Sequence, residues 1–361
     1  MLRDEDRTSI MIIQESVSLA PLTTLRVGGP ARYFVEARNE EMVLEGVAFA
    51  RASALPLFVL GGGSNLVVAD RGWPGLVVKI GISGIEAQSA GSTVLFEVGA
   101  GENWDVFVAE AVRRDCAGIE CLSGIPGCVG GTPVQNVGAY GQEVSETIES
   151  VRALDLKTDR VLDLDGEACV FGYRSSVFNT SECGRYIILR VRFRLRQNDD
   201  PTLKYADLKH HFAGAATPPS LAEVREAVRE IRLRKGMLIV PDDPDCRSAG
   251  SFFKNPVLND SQFQELARRA ESKGLEIPSY PSLDSRKIPA AWLVEHSGFA
   301  KGYLLGAAGI SHRHALALIN TGTASAGDIV RLKEQIQRGV RDNWGIALET
   351  EPVFVGFGDS E

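Results

Sequence analysis

The sequence predicts an α+β protein of two or three domains, and three observations carry that expectation. Its 361 residues exceed what one hydrophobic core ordinarily supports. Residues 21–80 alternate strand-like runs with a helical period, and later segments show alternating β patterns. Around Ser220 the character changes again, to capped amphipathic helices.

In chain order, TTLRVGGPARYFVEA reads as strand and turn, followed by a helix near Glu40 to Ala52 and strands at Leu57 to Leu60 and Gly75 to Ile80. A second unit begins with a strand at Thr93 to Val98. The helix after it places Trp104, Phe107, Val108, Ala111 and Val112 at i, i+3, i+4, i+7 and i+8, a single buried stripe. Alternating β patterns follow at Val151 to Leu156 and Tyr186 to Leu195. Ser220 and Glu223 form a capping-box pattern ahead of Leu221, Val224, Ala227, Val228 and Ile231, a helix expected to link two domains. Beyond it come a helix capped by Asp260, the strand-like Ala315 to Asn320, a helix carrying Ile329, Leu332, Ile336 and Val340, and a short closing strand at Pro352 to Val355.

Between the second unit's first helix and its later strands lies LSGIPGCVGGTPVQNVGAYGQEV, residues 122–144, with six glycines from Gly124 to Gly141 and almost no charge. Glycine permits positive φ and close backbone approach, so a run this dense is a loop wrapped around something. An earlier cluster, Gly61-Gly62-Gly63-Ser64-Asn65, follows the apolar run Leu57 to Leu60. Two such cradles can hold a dinucleotide pyrophosphate by main-chain N–H groups rather than by lysines. Neither spells a P-loop, and neither is a G-x-G-x-x-G that opens an amphipathic helix, which disfavours a nucleoside triphosphatase and a standard NAD-binding Rossmann domain.

Composition narrows the class. Apolar residues make up 44% and charged residues 24%, as in a soluble globular protein. The net charge of −8 argues against non-specific nucleic-acid binding, so any anionic ligand has to be held by local positive groups. The N-terminal MLRDEDRTSIMIIQES has too short an apolar core for a secretion signal, and no stretch is long enough to span a bilayer; a cytoplasmic protein with no membrane partner is expected. Six cysteines contain no C-x-x-C pair, so reduced and mostly buried thiols are expected. His312 and His314 share a strand face but have no third donor nearby, and no metal is expected; neighbouring His210 and His211 read as surface residues. No G-x-S-x-G or Ser/His/Asp arrangement supports a hydrolase.

Six motifs taken in order, TTLRVGG, LGGGSN, GIPGCVGGTPVQNVGAYG, FGYRSSVF, SAGSFFKNP and LETEPVFVG, resemble the UDP-N-acetylenolpyruvoylglucosamine reductase (MurB) family from about Thr23 to Gly356. FGYRSSVF, together with Tyr205 in DDPTLKYADL, resembles the longer family type, in which a tyrosine loop caps the substrate. The resemblance implies a two-domain FAD-binding module of the vanillyl-alcohol-oxidase (PCMH) type plus a C-terminal α/β substrate-binding domain. The expected divisions are residues 1–80, residues 81–219 joined by the C-terminal strand 346–361, and residues 235–345. The implied activity is NADPH-dependent reduction of the enolpyruvyl ether of UDP-N-acetylglucosamine to UDP-N-acetylmuramate, for peptidoglycan. By position Gly61, Gly62, Gly63, Ser64, Asn65 and Leu66 would hold FAD, together with Ser123, Gly124, Pro126, Gly127, Gly130, Gly131, Thr132, Gln135, Asn136, Gly138 and Ala139.

The chemistry explains three further matches. Hydride addition to the enolpyruvyl group develops an enolate beside a carboxylate, where a planar, always-charged guanidinium suits; the family's match is Arg174. The enolate carbon then needs a proton on a defined face, and the family's donor falls on Ser251, with Gly250 permitting a sharp turn and Phe252 and Phe253 anchoring the segment. Glu351 matches the catalytic glutamate, a role that calls for a pKa raised by burial. For the substrate the resemblance implies Tyr140, Tyr205, Lys254, Asn255, Tyr280 and His296.

Two departures stand out. Val240 precedes Pro241 where some relatives have lysine, leaving Arg234, Lys235 and Arg247 as the nearest cations, and His296 stands where a glutamine is frequent. The competing readings are another flavin-dependent oxidase of the same fold, for which Cys128 would be the candidate flavin tether, and a non-catalytic flavin or UDP-sugar binder. Nothing in the sequence marks a symmetric interface, and a monomer is expected.

Overall fold

The computed structural model describes residues 11–282 and 285–358. They form two compact units: residues up to Val17, Ala31–Gly62 and Trp73–Arg232 in the first, and Ser18–Pro30, Gly63–Gly72 and the chain from Leu233 in the second.

In the first unit, strands at Pro30–Ala37, Trp73–Ile80 and Leu57–Leu60 run parallel in that order, with Gln14–Ser18 at the edge. The helix Glu40–Ala52 is started by the Asn39 side chain, which accepts the Met42 N–H, and buries Met42, Val43, Val47 and Ala50. An antiparallel sheet follows in the order Arg160–Asp165, Ile148–Asp155, Tyr186–Gln197, Thr93–Gly99, Ile85–Ala90. Tyr186–Gln197 shows period-2 burial of Ile187, Leu189, Val191, Phe193 and Leu195. Against this face lies the helix Trp104–Arg113, whose buried stripe is the one its spacing predicts. Trp104, Phe107 and Phe193 pack ring to ring, with Phe107 and Phe193 centroids 4.9 Å apart.

The helix Leu221–Arg234 begins with the expected box, since Ser220 Oγ accepts the Glu223 N–H and Glu223 accepts the Ser220 N–H. Val224, Ala227, Val228 and Ile231 bury against Cys121 and Leu208.

The second unit holds an antiparallel sheet ordered Ser248–Ser251, Ala317–Asn320, Ala308–Ile310, Leu304–Leu305. Its core gathers Leu293, Leu318 and Phe252 with Ile329, Leu332, Ile336, Val340 and Trp344 of the helix Ala326–Trp344. A smaller sheet joins Val257–Leu258, Ser285–Lys287 and Tyr280–Ser282. The closing strand Val353–Val355 pairs parallel with Leu66–Val68. One expectation is corrected: the helix Asp260–Glu271 is capped by Asn259, not Asp260. Asn259 accepts from the Gln262 N–H and Gln262 from the Asn259 N–H, so the acid one residue later occupies the first turn instead.

Five of the six cysteines are buried and Cys183 is exposed; all six are unpaired with one another. No helix among the described residues is long and apolar enough to cross a membrane.

Candidate active site

The glycine loop of the first unit is folded by its own polar side chains. Ser123 Oγ donates to the Glu120 carbonyl (2.6 Å) and Thr132 Oγ1 to that of Val129 (2.8 Å). Asn136 Nδ2 donates to Glu143 and to the Gly172 carbonyl, while its Oδ1 accepts from the Ser145 N–H. All three are buried, so what they leave for a ligand is main chain. Asn136 and Tyr140 sit at positive φ (43° and 50°), strain that only a well-determined loop sustains.

The first cluster meets the loop at Gly62. A Cβ on Gly62 would lie 2.5 Å from Gly127 Cα and 2.7 Å from the Cys128 nitrogen, so the two strands of backbone approach more closely than any side chain permits. The N–H groups of Gly131, Gly62 and Gly130 gather around the Cys128 sulfur, yet burial dominates and pushes that thiol above its ordinary 9.0. A thiol buried in this way packs as a small apolar group. The glycine-lined backbone of Gly61–Gly62 and Gly127–Gly131, with open space beside Gly131, fits a dinucleotide pyrophosphate.

Residues outside the motifs hold this cradle. Trp104 Nε1 donates to the Leu122 carbonyl (2.9 Å) and Asp105 accepts the Gly124 N–H (2.6 Å). Arg225 and Arg229 of the helix Leu221–Arg234 both bind Asp105, and buried Arg232 donates to the Gly124 carbonyl (3.0 Å). Gly124 is thus pinned at both its N–H and its C=O. Burial pushes the Asp105 carboxyl up, but hydrogen bonds from Arg225 and Gly124 outweigh it and hold the group below its usual 3.8.

A depressed carboxylate contributes stability above its unfolded pKa and loses it as pH falls through the lower folded value. Asp105→Asn is therefore expected to cost about 2 kcal/mol at neutral pH. It should also flatten the fall in melting temperature below about pH 4, which thermal unfolding across pH checks.

Arg174 lies in a tight turn of the first unit, bracketed by the Gly172–Ser175 bridge and itself at φ 53°. Its Nη2 donates to the Gly138 carbonyl (2.9 Å) and its guanidinium lies 5.7 Å from the Tyr173 ring. That holds the guanidinium beside the glycine loop. Tyr140 and Tyr205 also meet here, edge to face at 5.3 Å.

In the second unit Thr24 ties the motifs together. Its Oγ1 donates to the Ser248 carbonyl (2.6 Å) and its N–H to Gly63 O, which fastens the start of the Ser251 strand to the Gly63–Asn65 segment. Between Ser248 and Ser251 the pairing with Ala317–Asn320 shifts register, and Gly250 within that stretch sits at φ 75°. Phe252 and Phe253 are buried behind it, as expected. The Phe252 carbonyl accepts the Glu351 N–H (2.9 Å), Phe253 bridges Thr350, and Asn65 Nδ2 donates to the Glu351 carbonyl (3.1 Å). Ser251, Glu351 and Asn65, far apart in sequence, are brought into one neighbourhood.

The proposed substrate contacts of this unit are more scattered. Lys254 pairs with Glu349 (3.5 Å), and Asn255 Oδ1 accepts the Ala290 N–H (2.8 Å) at the start of a helix. Exposed His296 stacks on Trp292 at 4.4 Å, and Tyr280 is 62% exposed. His314 Nδ1 accepts the Leu316 N–H, and His312 stands 3.5 Å from Asp245. Asp105, Arg232 and Thr24 escape a sequence reading because their partners lie up to 224 residues away.

Both parts of the chain match family models. Residues 31–165 match the FAD binding domain model and residues 242–355 the C-terminal domain model of UDP-N-acetylenolpyruvoylglucosamine reductase. The reductase of that name from Thermobifida fusca is 44% identical over 350 residues, 94% of this chain and 97% of that protein. Its Streptomyces avermitilis counterpart is 45% identical over 347 residues, 94% and 93% respectively. The crystal structure of the Thermus caldophilus reductase superposes with a TM-score of 0.66 at 26% identity, covering 96% of this chain and 100% of that one. With the glycine cradle and the serine strand in place, identity at this level over nearly the full length of both chains shows that this chain belongs to the UDP-N-acetylenolpyruvoylglucosamine reductase family.

Proposed function

We propose that this protein reduces UDP-N-acetylglucosamine enolpyruvate to UDP-N-acetylmuramate with electrons from NADPH. The observation that supports the reading is the second-unit assembly in which the Ser251 strand shifts register and the Phe252 carbonyl accepts the Glu351 N–H, so that the residues matching the family's proton donor and glutamate lie on hydrogen-bonded segments. A protein that merely bound flavin or a UDP-sugar has no use for a proton donor, and an oxidase forms no enolate to protonate.

FAD is the cofactor, and when bound it supplies the hydride taken from NADPH. Gly61–Gly62 and Gly127–Gly131 offer it a backbone cradle that Asp105 and Arg232 keep in shape. Arg174 takes the substrate carboxylate in its guanidinium fork and neutralises the charge that spreads onto it as the enolate forms. Ser251 Oγ–H gives its proton to the enolate carbon and takes one back from solvent, while Glu351 in protonated form shares the negative charge of the enolate. Tyr140 and Tyr205 close on the UDP-sugar, the second by the capping loop of the longer family type, with Lys254 toward the pyrophosphate. The reading places the enzyme in the cytoplasm as a monomer, with no nucleic-acid partner; the net charge of −8 agrees with the last of these.

The test is a product assay. Incubation with NADPH and UDP-N-acetylglucosamine enolpyruvate should yield the substrate plus one hydride and one proton, read by mass spectrometry. Consumption of NADPH with oxygen alone, and no reduced sugar nucleotide, would replace the reading with an oxidase.

A further inference from the structure

Glu120 is fully buried directly ahead of the glycine loop, and no step above uses it. Its carboxylate accepts three N–H donors: Gly118 at 2.7 Å, Gln142 Nε2 at 2.8 Å and Thr202 at 2.8 Å. Burying a charged carboxylate is costly, and donors converging from three stretches of chain offset that cost. Those stretches are the entry to the loop, its exit, and the segment after the strand Tyr186–Gln197.

The neighbouring residue completes the clamp. Cys121 N–H donates to Gln142 Oε1 (2.8 Å) and Cys121 Sγ to the Thr202 carbonyl (3.2 Å), so Thr202 is held at both its N–H and its C=O. Gln142 lies two residues after Tyr140, and Thr202 three before Tyr205. Those rings meet edge to face at 5.3 Å, with Tyr140 in the left-handed region at φ 50°. A strained aromatic paired with a 41% exposed one on a separate segment needs something rigid beneath it.

We propose that Glu120 is a positioning residue that sets the Tyr140–Tyr205 pair for the UDP-sugar, acting through Gln142 and Thr202. The inference rests on the reductase reading and adds to it the device that fixes substrate affinity. It leaves flavin binding and NADPH oxidation to other residues.

Thr202→Pro deletes one of the three donors while leaving Glu120 in place. Glu120→Gln turns an amide N–H₂ against N–H donors. Titrating UDP-N-acetylglucosamine enolpyruvate into the oxidised, FAD-loaded protein, followed by the change in the flavin band, should give a dissociation constant raised about tenfold for Thr202→Pro and more for Glu120→Gln. The rate at which NADPH bleaches the flavin should stay within about twofold.

In a Tyr205→Ala background Thr202→Pro should have no further effect, because the interaction it supports is already gone. Parent-like affinity in Thr202→Pro, equal losses in affinity and flavin content, or full additivity with Tyr205→Ala would each overturn the proposal. So would a flavin-free Glu120→Gln protein beside an unaffected Thr202→Pro one, since Glu120 would then serve folding alone. If the parent itself does not bind that compound, the reductase reading fails instead.

Discussion

A Ser251→Ala enzyme is expected to keep its flavin, to be reduced by NADPH at the parent rate, and to pass electrons to UDP-N-acetylglucosamine enolpyruvate about 10²–10⁴-fold more slowly. The position explains why the loss should be confined to that step. Ser251 follows a register shift in its strand and is half-buried, while buried Phe252, through its bonds to Leu316 and Glu351, and buried Phe253 carry the strand's packing. Removing one hydroxyl from an already irregular pairing disturbs none of these. Single-turnover measurement of the two half-reactions separates the effects. A parent-like second half-reaction would take the proton donor away from Ser251, and a matching loss in both would mark a folding defect.

Gly62→Ala should abolish most of the bound flavin. The added methyl would meet Gly127 Cα at 2.5 Å and the Cys128 nitrogen at 2.7 Å, both main-chain atoms that cannot rotate aside. Overpacking of this kind costs roughly 1–3 kcal/mol and more where the backbone has to move. Here the movement would open the cradle itself, so FAD affinity should fall at least about tenfold, read as visible flavin absorbance per mole of purified protein. Full flavin content would show that the two glycine clusters do not form the cradle.

What the sequence disclosed was local. The helix Trp104–Arg113, the strand Tyr186–Gln197 and the capping box at Ser220 follow from residues within a few positions of one another, and periodicity finds them. The density of glycine between Gly124 and Gly141 likewise announced a loop shaped by its backbone.

The supports of the site are non-local. Thr24 reaches Ser248, Glu120 reaches Thr202, and Arg232 reaches Gly124, through single polar atoms that leave no spacing signature. Ser123, Thr132 and Asn136 stand among the motif residues that position suggests for FAD, yet their side chains are spent on the loop's own carbonyls and carboxylates. Proximity in sequence does not reveal which way a side chain turns. The cap at Asn259 shows the same limit on a small scale, because Asn-Asp offers two capping residues in succession and only the backbone conformation selects one.

The most direct test of the central claim is spectroscopic and anaerobic. The visible flavin band of the purified protein is recorded, bleached with NADPH, and followed after UDP-N-acetylglucosamine enolpyruvate is added. Recovery of the oxidised band on that addition, with oxygen absent, is the predicted result. A band that stays bleached until air is admitted would contradict it and make an oxidase the better account.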